Sequence, residues 1–393
     1  MRPLPEDFCL QHPEILNAVG RTHPTKQTIP SLMAEAGYTS FVSRRALVTP
    51  ILLILTGAGI AVAIVATRPG GFVPGAFVLE QTLPLEREDG PVRVAFVPGN
   101  RSVIYEAQRR PITIFDLATG TKHELFSDLS YGNFALSADG ASAAIMMPGS
   151  GRATTDLRIY DLASGKVRKT LPDQRGGEPM TWSPDGQRIV FAVMWMLFIL
   201  DLERGNTQNL PISDNHGDWT TSLAFSPDGR LLGVGTQYGE VSLWRTDSWT
   251  LVQKFNLGSS PNPRLGPNAM CHVTFSPDGS LFAAGGGSSW GTTDLPNSTV
   301  YSGALRVWRT SDHTVALSMD TGRPVVSLSF SPDGATLAYH SWGQVQIVDL
   351  GTGREICHLE ARTGWNPSVE FGRDGRLLTL DERGGIRIWK RAS

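Results

Sequence analysis

One short signature recurs through most of the chain and limits the folds open to it. It reads WSPDG at 182–186 and FSPDG at 225–229, 275–279 and 330–334. Looser copies are FVPGN at 96–100, LSADG at 136–140 and FGRDG at 371–375. Serine suits the first corner of a type I turn, proline pre-sets the φ of the next residue, and glycine closes the turn without steric cost. The markers follow one another at about 40–55 residues, a period that belongs to repeat architectures. Each is followed by an alternating apolar segment such as ITIFDL at 112–117, LRIYDL at 157–162, VSLWRT at 241–246 or VQIVDL at 345–350. Several of these pass through a Gly-containing turn into a further strand, for instance KVRKTL at 166–171. Four strands per unit and seven units predict an all-β chain, a seven-bladed β-propeller over residues 77–393. The last unit ends shortly after Trp389 and lacks a fourth strand, while FVLEQTLPL at 77–85 is a strand without a blade. Pairing the two closes the ring and hides two open edges.

Ahead of the repeats lie three segments. Residues 1–45 are polar and interrupted by proline, and are expected to be a flexible tail. Residues 46–67, ALVTPILLILTGAGIAVAIVAT, carry no charge over 22 positions. That length suffices to cross a hydrocarbon core of about 30 Å, and a helix satisfies its own backbone there. The expectation is a single transmembrane helix over 46–67, followed by a linker at 68–76. Arg44 and Arg45 flank it on one side and Arg68 on the other. The positive-inside rule then favours a cytoplasmic N-terminus and an extracytoplasmic propeller. A cleaved signal peptide is the rival reading; the 45-residue lead-in is long for one. The short linker would set the turn-bearing face of the propeller toward the bilayer.

Charge and composition exclude more than they name. The formal net charge of -2, with acids and bases interspersed, gives no basic stripe for a nucleic acid. Cys9, Cys271 and Cys357 make no disulfide framework. Eight histidines are scattered, and neither His272 nor His340 has a carboxylate or cysteine at ligand spacing, so no metal site is expected. No nucleophile stands next to a base and no acids pair, so neither enzyme chemistry nor a cofactor is expected. The run Gly285-Gly286-Gly287 is not a phosphate loop, since no helix or lysine follows it.

Residues 77–393 resemble the WD-repeat propellers. The resemblance is fullest in HGDWTTSLAFSPDGRLLGVGTQYGEVSLWR, from His216 to Arg245. His216 falls where that family places a loop histidine and Trp244 where it places a strand tryptophan. The chain also departs from the pattern. Arg245, Arg309 and Lys390 follow the tryptophans in place of aspartate, Val234 takes the usual serine position and Tyr238 the tight-turn aspartate. The family's internal hydrogen-bond tetrad is therefore expected to be missing or incomplete.

In such propellers the loops between second and third strands share one face with the loops between blades. Trp195, Tyr238, Trp290 and Trp342 map to the former, Trp219 and Trp365 to or beside the latter, and Arg109 and Arg110 to the first blade's loop. Aromatics and arginine are the usual hot-spot residues of binding surfaces, although such rings also fold down as packing. A long insertion at about 286–302 in the fifth unit is expected to be a loop, whether functional or merely tolerated. Together these features imply a membrane-anchored platform for a protein partner. An extracytoplasmic sensor binding a small ligand in the central channel is the alternative, and a propeller enzyme the third.

Overall fold

The computed structural model describes residues 52–56, 59–63 and 77–392, apart from 84–90, 108–110, 126–133, 149–154, 175–176, 213–217, 258–270, 292–298, 342, 361–367 and 381–384. The chain divides into two units, Met1–Gly71 and Phe72–Ser393.

The second unit contains seven antiparallel four-stranded sheets, the blades. Six are made of consecutive strands: blade one within 91–124, two within 134–174, three within 180–211, four within 220–256, five within 272–320 and six within 325–360. Blade seven takes three strands from 369–391 and its fourth from Phe77–Thr82. That strand runs antiparallel to Ile386–Arg391, from Phe77 opposite Arg391 to Thr82 opposite Arg387. The Leu83 N–H continues the ladder to the Ile386 carbonyl at 2.9 Å.

The turn chemistry acts as the signature demands. In blade six the Ser331 hydroxyl accepts the Thr336 N–H at 3.0 Å and donates to Asp333. Asp333 Oδ1 in turn accepts the Ala335 N–H, and the Gly334 N–H returns to the Ser331 carbonyl. The same set recurs at Ser137, Ser183, Ser226 and Ser276. The serine hydroxyls and following N–H groups hold Asp139, Asp278 and Asp333 below the usual carboxylate range. A second turn joins third and fourth strands, where Asp116, Asp161, Asp201 and Asp349 accept N–H groups two or three residues on. Each of these turns ends in a glycine of positive φ, at 120, 165, 205 and 353. Blades four and five put Trp249 and His313 in that left-handed position instead.

The buried side chains fall into seven clusters, one between each pair of neighbouring blades. Ile104 and Ile114 of blade one meet Ile145 and Tyr160 of blade two. Val241 and Leu243 of blade four meet Phe275 and Phe282 of blade five. Val94 and Phe96 of blade one meet Leu378 and Ile388 of blade seven, with Leu83 packed among them. A core that passes through every interface, including seven to one, makes a ring.

Two expectations change. The insertion in blade five is not a loop over most of its length. Its second and third strands, Leu281–Gly291 and Thr299–Arg309, stay paired out to Gly291 opposite Thr299. Small residues face one another along this stretch, Gly286 with Ala304 and Gly287 with Gly303. The ladder then runs on past them, through Ser289 opposite Tyr301 and Trp290 opposite Val300.

The other concerns the first unit. The transmembrane helix expected over 46–67 is not found among its described residues. Leu52–Thr56 and Gly59–Ala63 form an antiparallel pair instead, with Leu52 opposite Ala63 and Thr56 opposite Gly59. An apolar run does not by itself separate helix from strand. Gly57 and Gly59 each cost a helix about 1 kcal/mol relative to alanine, and two residues between strands is the common hairpin spacing. Among the described residues no helix is long and apolar enough to cross a membrane. The tail 1–45 and the linker 68–76 lie outside the described residues.

Candidate functional site: an aromatic rim on blades three and four

Strand parity fixes which residues share a face. In a four-stranded meander the connection between blades and the loop from second to third strand fall at one end. The Ser-Pro-Asp-Gly turns fall at the other. Met194 and Trp195 sit between the second and third strands of blade three, Arg188–Val193 and Met196–Asp201. Trp219 leads into the first strand of blade four, Thr220–Phe225, and Tyr238 lies between its second and third, Leu231–Thr236 and Glu240–Arg245. All four therefore occupy one end of two neighbouring blades.

Backbone bonds lock the group together. The Thr220 N–H and hydroxyl both donate to the Met194 carbonyl at 2.9 Å. The Gln237 N–H reaches the Trp219 carbonyl at 2.8 Å, and the Ile212 N–H the Trp195 carbonyl at 3.1 Å. Beneath them the buried Asp218 accepts the Tyr238 N–H at 3.1 Å, and burial pushes its carboxyl above the usual range. The side chains above this frame face water: Met194 is 48% exposed, Trp219 51% and Tyr238 42%. Large apolar groups held on ordered backbone at such exposure lose little entropy on burial by a partner.

Of the other residues singled out from sequence, Trp195 is half-buried, and it sits at the base of the rim. Trp290 lies on the blade-five hairpin opposite Val300. Arg109, Arg110, Trp342 and Trp365 lie outside the described residues, as does His216. Sequence reading missed Met194. Its signal was the pair Met194-Trp195 between two strong strands, where a polar turn is usual; its φ of 56° shows the tight turn it makes. The strand tryptophans bond differently in blades four and seven. Trp244 Nε1 donates to Ser242 on its own strand at 2.9 Å, whereas Trp389 Nε1 reaches Thr379 on the adjacent second strand at 2.8 Å. Cys271 and Cys357 are free thiols, and burial raises both. Among the described residues no three His, Cys, Asp or Glu side chains are grouped to hold a metal.

Fold and rim define a repeat propeller that presents loop ends as a surface. Residues 208–245, which include Trp219 and Tyr238, match the WD domain, G-beta repeat of the WD40 family. Transducin beta-like protein 3 of Rattus norvegicus is 27% identical over 61% of this chain and 29% of its own length. Small ribosomal subunit protein RACK1 of Schizosaccharomyces pombe is 25% identical over 39% of this chain and 43% of its own. A guanine nucleotide-binding protein subunit beta of Solanum tuberosum is 28% identical over 51% of each. The chain thus spans about half or less of these relatives. The solved β-propeller domain of Cps50 (Swd1) from Myceliophteria thermophila superposes with a TM-score of 0.61 at 13% identity, over 80% of this chain and 99% of that domain. The chain carries a WD40 repeat and the β-propeller fold that goes with it.

Proposed function

We propose that this propeller is a non-enzymatic interaction platform that holds a protein partner on the rim of blades three and four. The observation that carries the reading is the exposure of Met194, Trp219 and Tyr238 on a hydrogen-bonded backbone frame at one end of the ring. Two similar proteins, by their names, work as subunits of larger assemblies. The uncharged run 46–67 supports a membrane tether, with Arg44 and Arg45 favouring a cytoplasmic N-terminus and an extracytoplasmic propeller. The paired strands within that run have outer edges whose N–H and C=O groups require water. In a bilayer a helix satisfies them all, so the tether reading requires helix there.

The rim is tested by the double substitution Trp219→Ala and Tyr238→Ala with proximity labelling in native membranes. The expected result is an unchanged melting temperature with loss of the labelled neighbours. Unchanged labelling by the folded variant defeats the rim. The tether is tested separately by alkaline extraction, in which release of the whole chain from membranes defeats it.

A further inference from the structure

Blade five differs from the other blades at its edges. Its first strand pairs no further than His272 opposite Gly285, and its fourth no further than Asp320 opposite Ala304. The second and third strands continue alone, from Ser288 opposite Ser302 to Gly291 opposite Thr299. A two-stranded ribbon is marginally stable in water, and further strands make it persist. The strand's alternation places the bonding groups on the ribbon's outer edge. The Gly303 carbonyl turns outward to the Thr321 N–H at 2.9 Å. Both backbone groups of a residue in an antiparallel ladder point to one side, and alternate residues share that side. The next outward N–H and C=O groups therefore belong to Tyr301 and Thr299, and no described strand pairs with them.

The other outer edges of the ring are guarded. Each of the seven outer strands carries a charge or a proline, as at Glu80 in blade seven, Pro211 in blade three and Lys254 in blade four. Such residues keep one edge from pairing with another. The stretches 286–291 and 299–303 have neither. A bulge is a further device that turns an edge away. The outer pairings of blades two, four, five, six and seven all shift register, whereas the ladder from Leu281 to Gly291 runs without a shift. Threonine, valine and tyrosine, the residues at 299–301, are also strand-forming types.

We infer that this edge is a contact between two copies of the chain, their ribbons joined antiparallel about a two-fold axis at Val300. Thr299 of one copy then faces Tyr301 of the other, and the reverse, which gives about four backbone hydrogen bonds. The two ribbons become one sheet of four strands. A second copy fits because the edge meets only itself. No like charges are opposed, and a two-fold axis lets one short stretch serve both sides. The contact uses none of the rim residues, so its failure leaves the rim reading untouched.

The test follows the full chain in density-matched detergent by sedimentation velocity, at concentrations up to about 100 μM. The expected result is a monomer–dimer equilibrium. Tyr301→Pro removes an outward N–H and no bond of the hairpin itself, and should weaken the dimer about tenfold or more. Tyr301→Lys sets like charges near each other across the axis and should also weaken it, with partial recovery at high salt. A monomer at every concentration overturns the inference, as does a dimer of unchanged affinity in folded Tyr301→Pro. If circular dichroism finds Tyr301→Pro unfolded, Tyr301→Lys decides: a weaker dimer supports the contact and an unchanged one overturns it.

Discussion

Glu370 stands one residue before its blade's aromatic, where the other blades carry Ala95, Ala135, Thr181, Ala224, Thr274 and Ser329. Ser329 uses that place to accept the Phe371 N–H of the next blade, and Glu370 does the same for Phe96. The seam is the same, but at the junction of blades seven and one it contains an ionisable group. Burial raises its folded pKa to about 7, against an ordinary 4.5. Between those values the unfolded chain releases the proton while the folded chain retains it. The neutral carboxyl's contribution is therefore whole below 4.5 and is lost as pH climbs through about 7. His272 works in the opposite sense. Burial, aided by Arg93, lowers its pKa to about 4, which favours the fold as pH rises from there to 6.5. The two are separated by Glu370→Gln, which holds no titrating proton. Urea unfolding near both ends of the window should find wild-type stability falling relative to the variant by on the order of 2 kcal/mol. Parallel curves for the two proteins would dismiss the buried carboxyl as the cause. The serine turns were legible in sequence because all their partners lie within five residues. Glu370 was not, because its partner lies on the far side of the ring closure.

The elements repeat the contrast between local and distant causes. Ser-Pro-Asp-Gly located the first turns of blades three to six and its looser copies the other three, and Asp-x-x-x-Gly located each outer turn of blades one, two, three and six. The blade-five hairpin was misjudged as a loop, because the glycines and serines that usually mark loops also pair in a ladder, here opposite small residues at Gly286 and Gly287 and opposite Tyr301 at Ser289. Its position has a tertiary cause. A Cβ on Gly303 would lie 1.7 Å from the Arg323 carbonyl oxygen and 2.3 Å from its carbon. The Thr321 N–H also bonds to the Gly303 carbonyl at 2.9 Å. The hairpin thus lies directly on the connection between blades five and six, and only glycine permits the approach. Gly303→Ala must push backbone against backbone. Equilibrium unfolding should show a loss of about 1–3 kcal/mol or more, whereas a change under about half a kcal/mol would mean that the connection yields freely. The stretch 46–67 illustrates the same ambiguity with apolar residues: length and lack of charge suggest a helix, paired glycine spacing a hairpin, and the surrounding solvent decides which backbone partners are available.

At the scale of the molecule, the ring is joined by a strand far from its partner in sequence. Phe77–Thr82 supplies the fourth strand of a blade whose other three end at Arg391. The strand brings two core side chains, Phe77 at 8% and Leu83 at 2% exposure. Phe77 packs in the cluster between blades six and seven, with its ring 5.9 Å from that of Phe371, and Leu83 in the cluster between blades seven and one. Each buried side chain of this kind contributes about 1.5–3 kcal/mol. Their joint loss of about 3–6 kcal/mol rivals the whole stability of an ordinary domain, about 5–15 kcal/mol. Removing the strand also uncovers the edge of Ile386–Arg391, a ready template for another chain. A chain beginning at residue 84 should therefore melt far lower than the intact protein and associate through blade seven, as seen by calorimetry and light scattering. A synthetic peptide spanning 76–84, added in trans, should restore the melting temperature and suppress the association, because it offers the same edge its native partner. Substituting aspartate for Phe77 in that peptide should abolish the rescue. Should the shortened chain melt as the intact one does, the seven interfaces hold the ring unaided, and the strand covers an edge without fastening it.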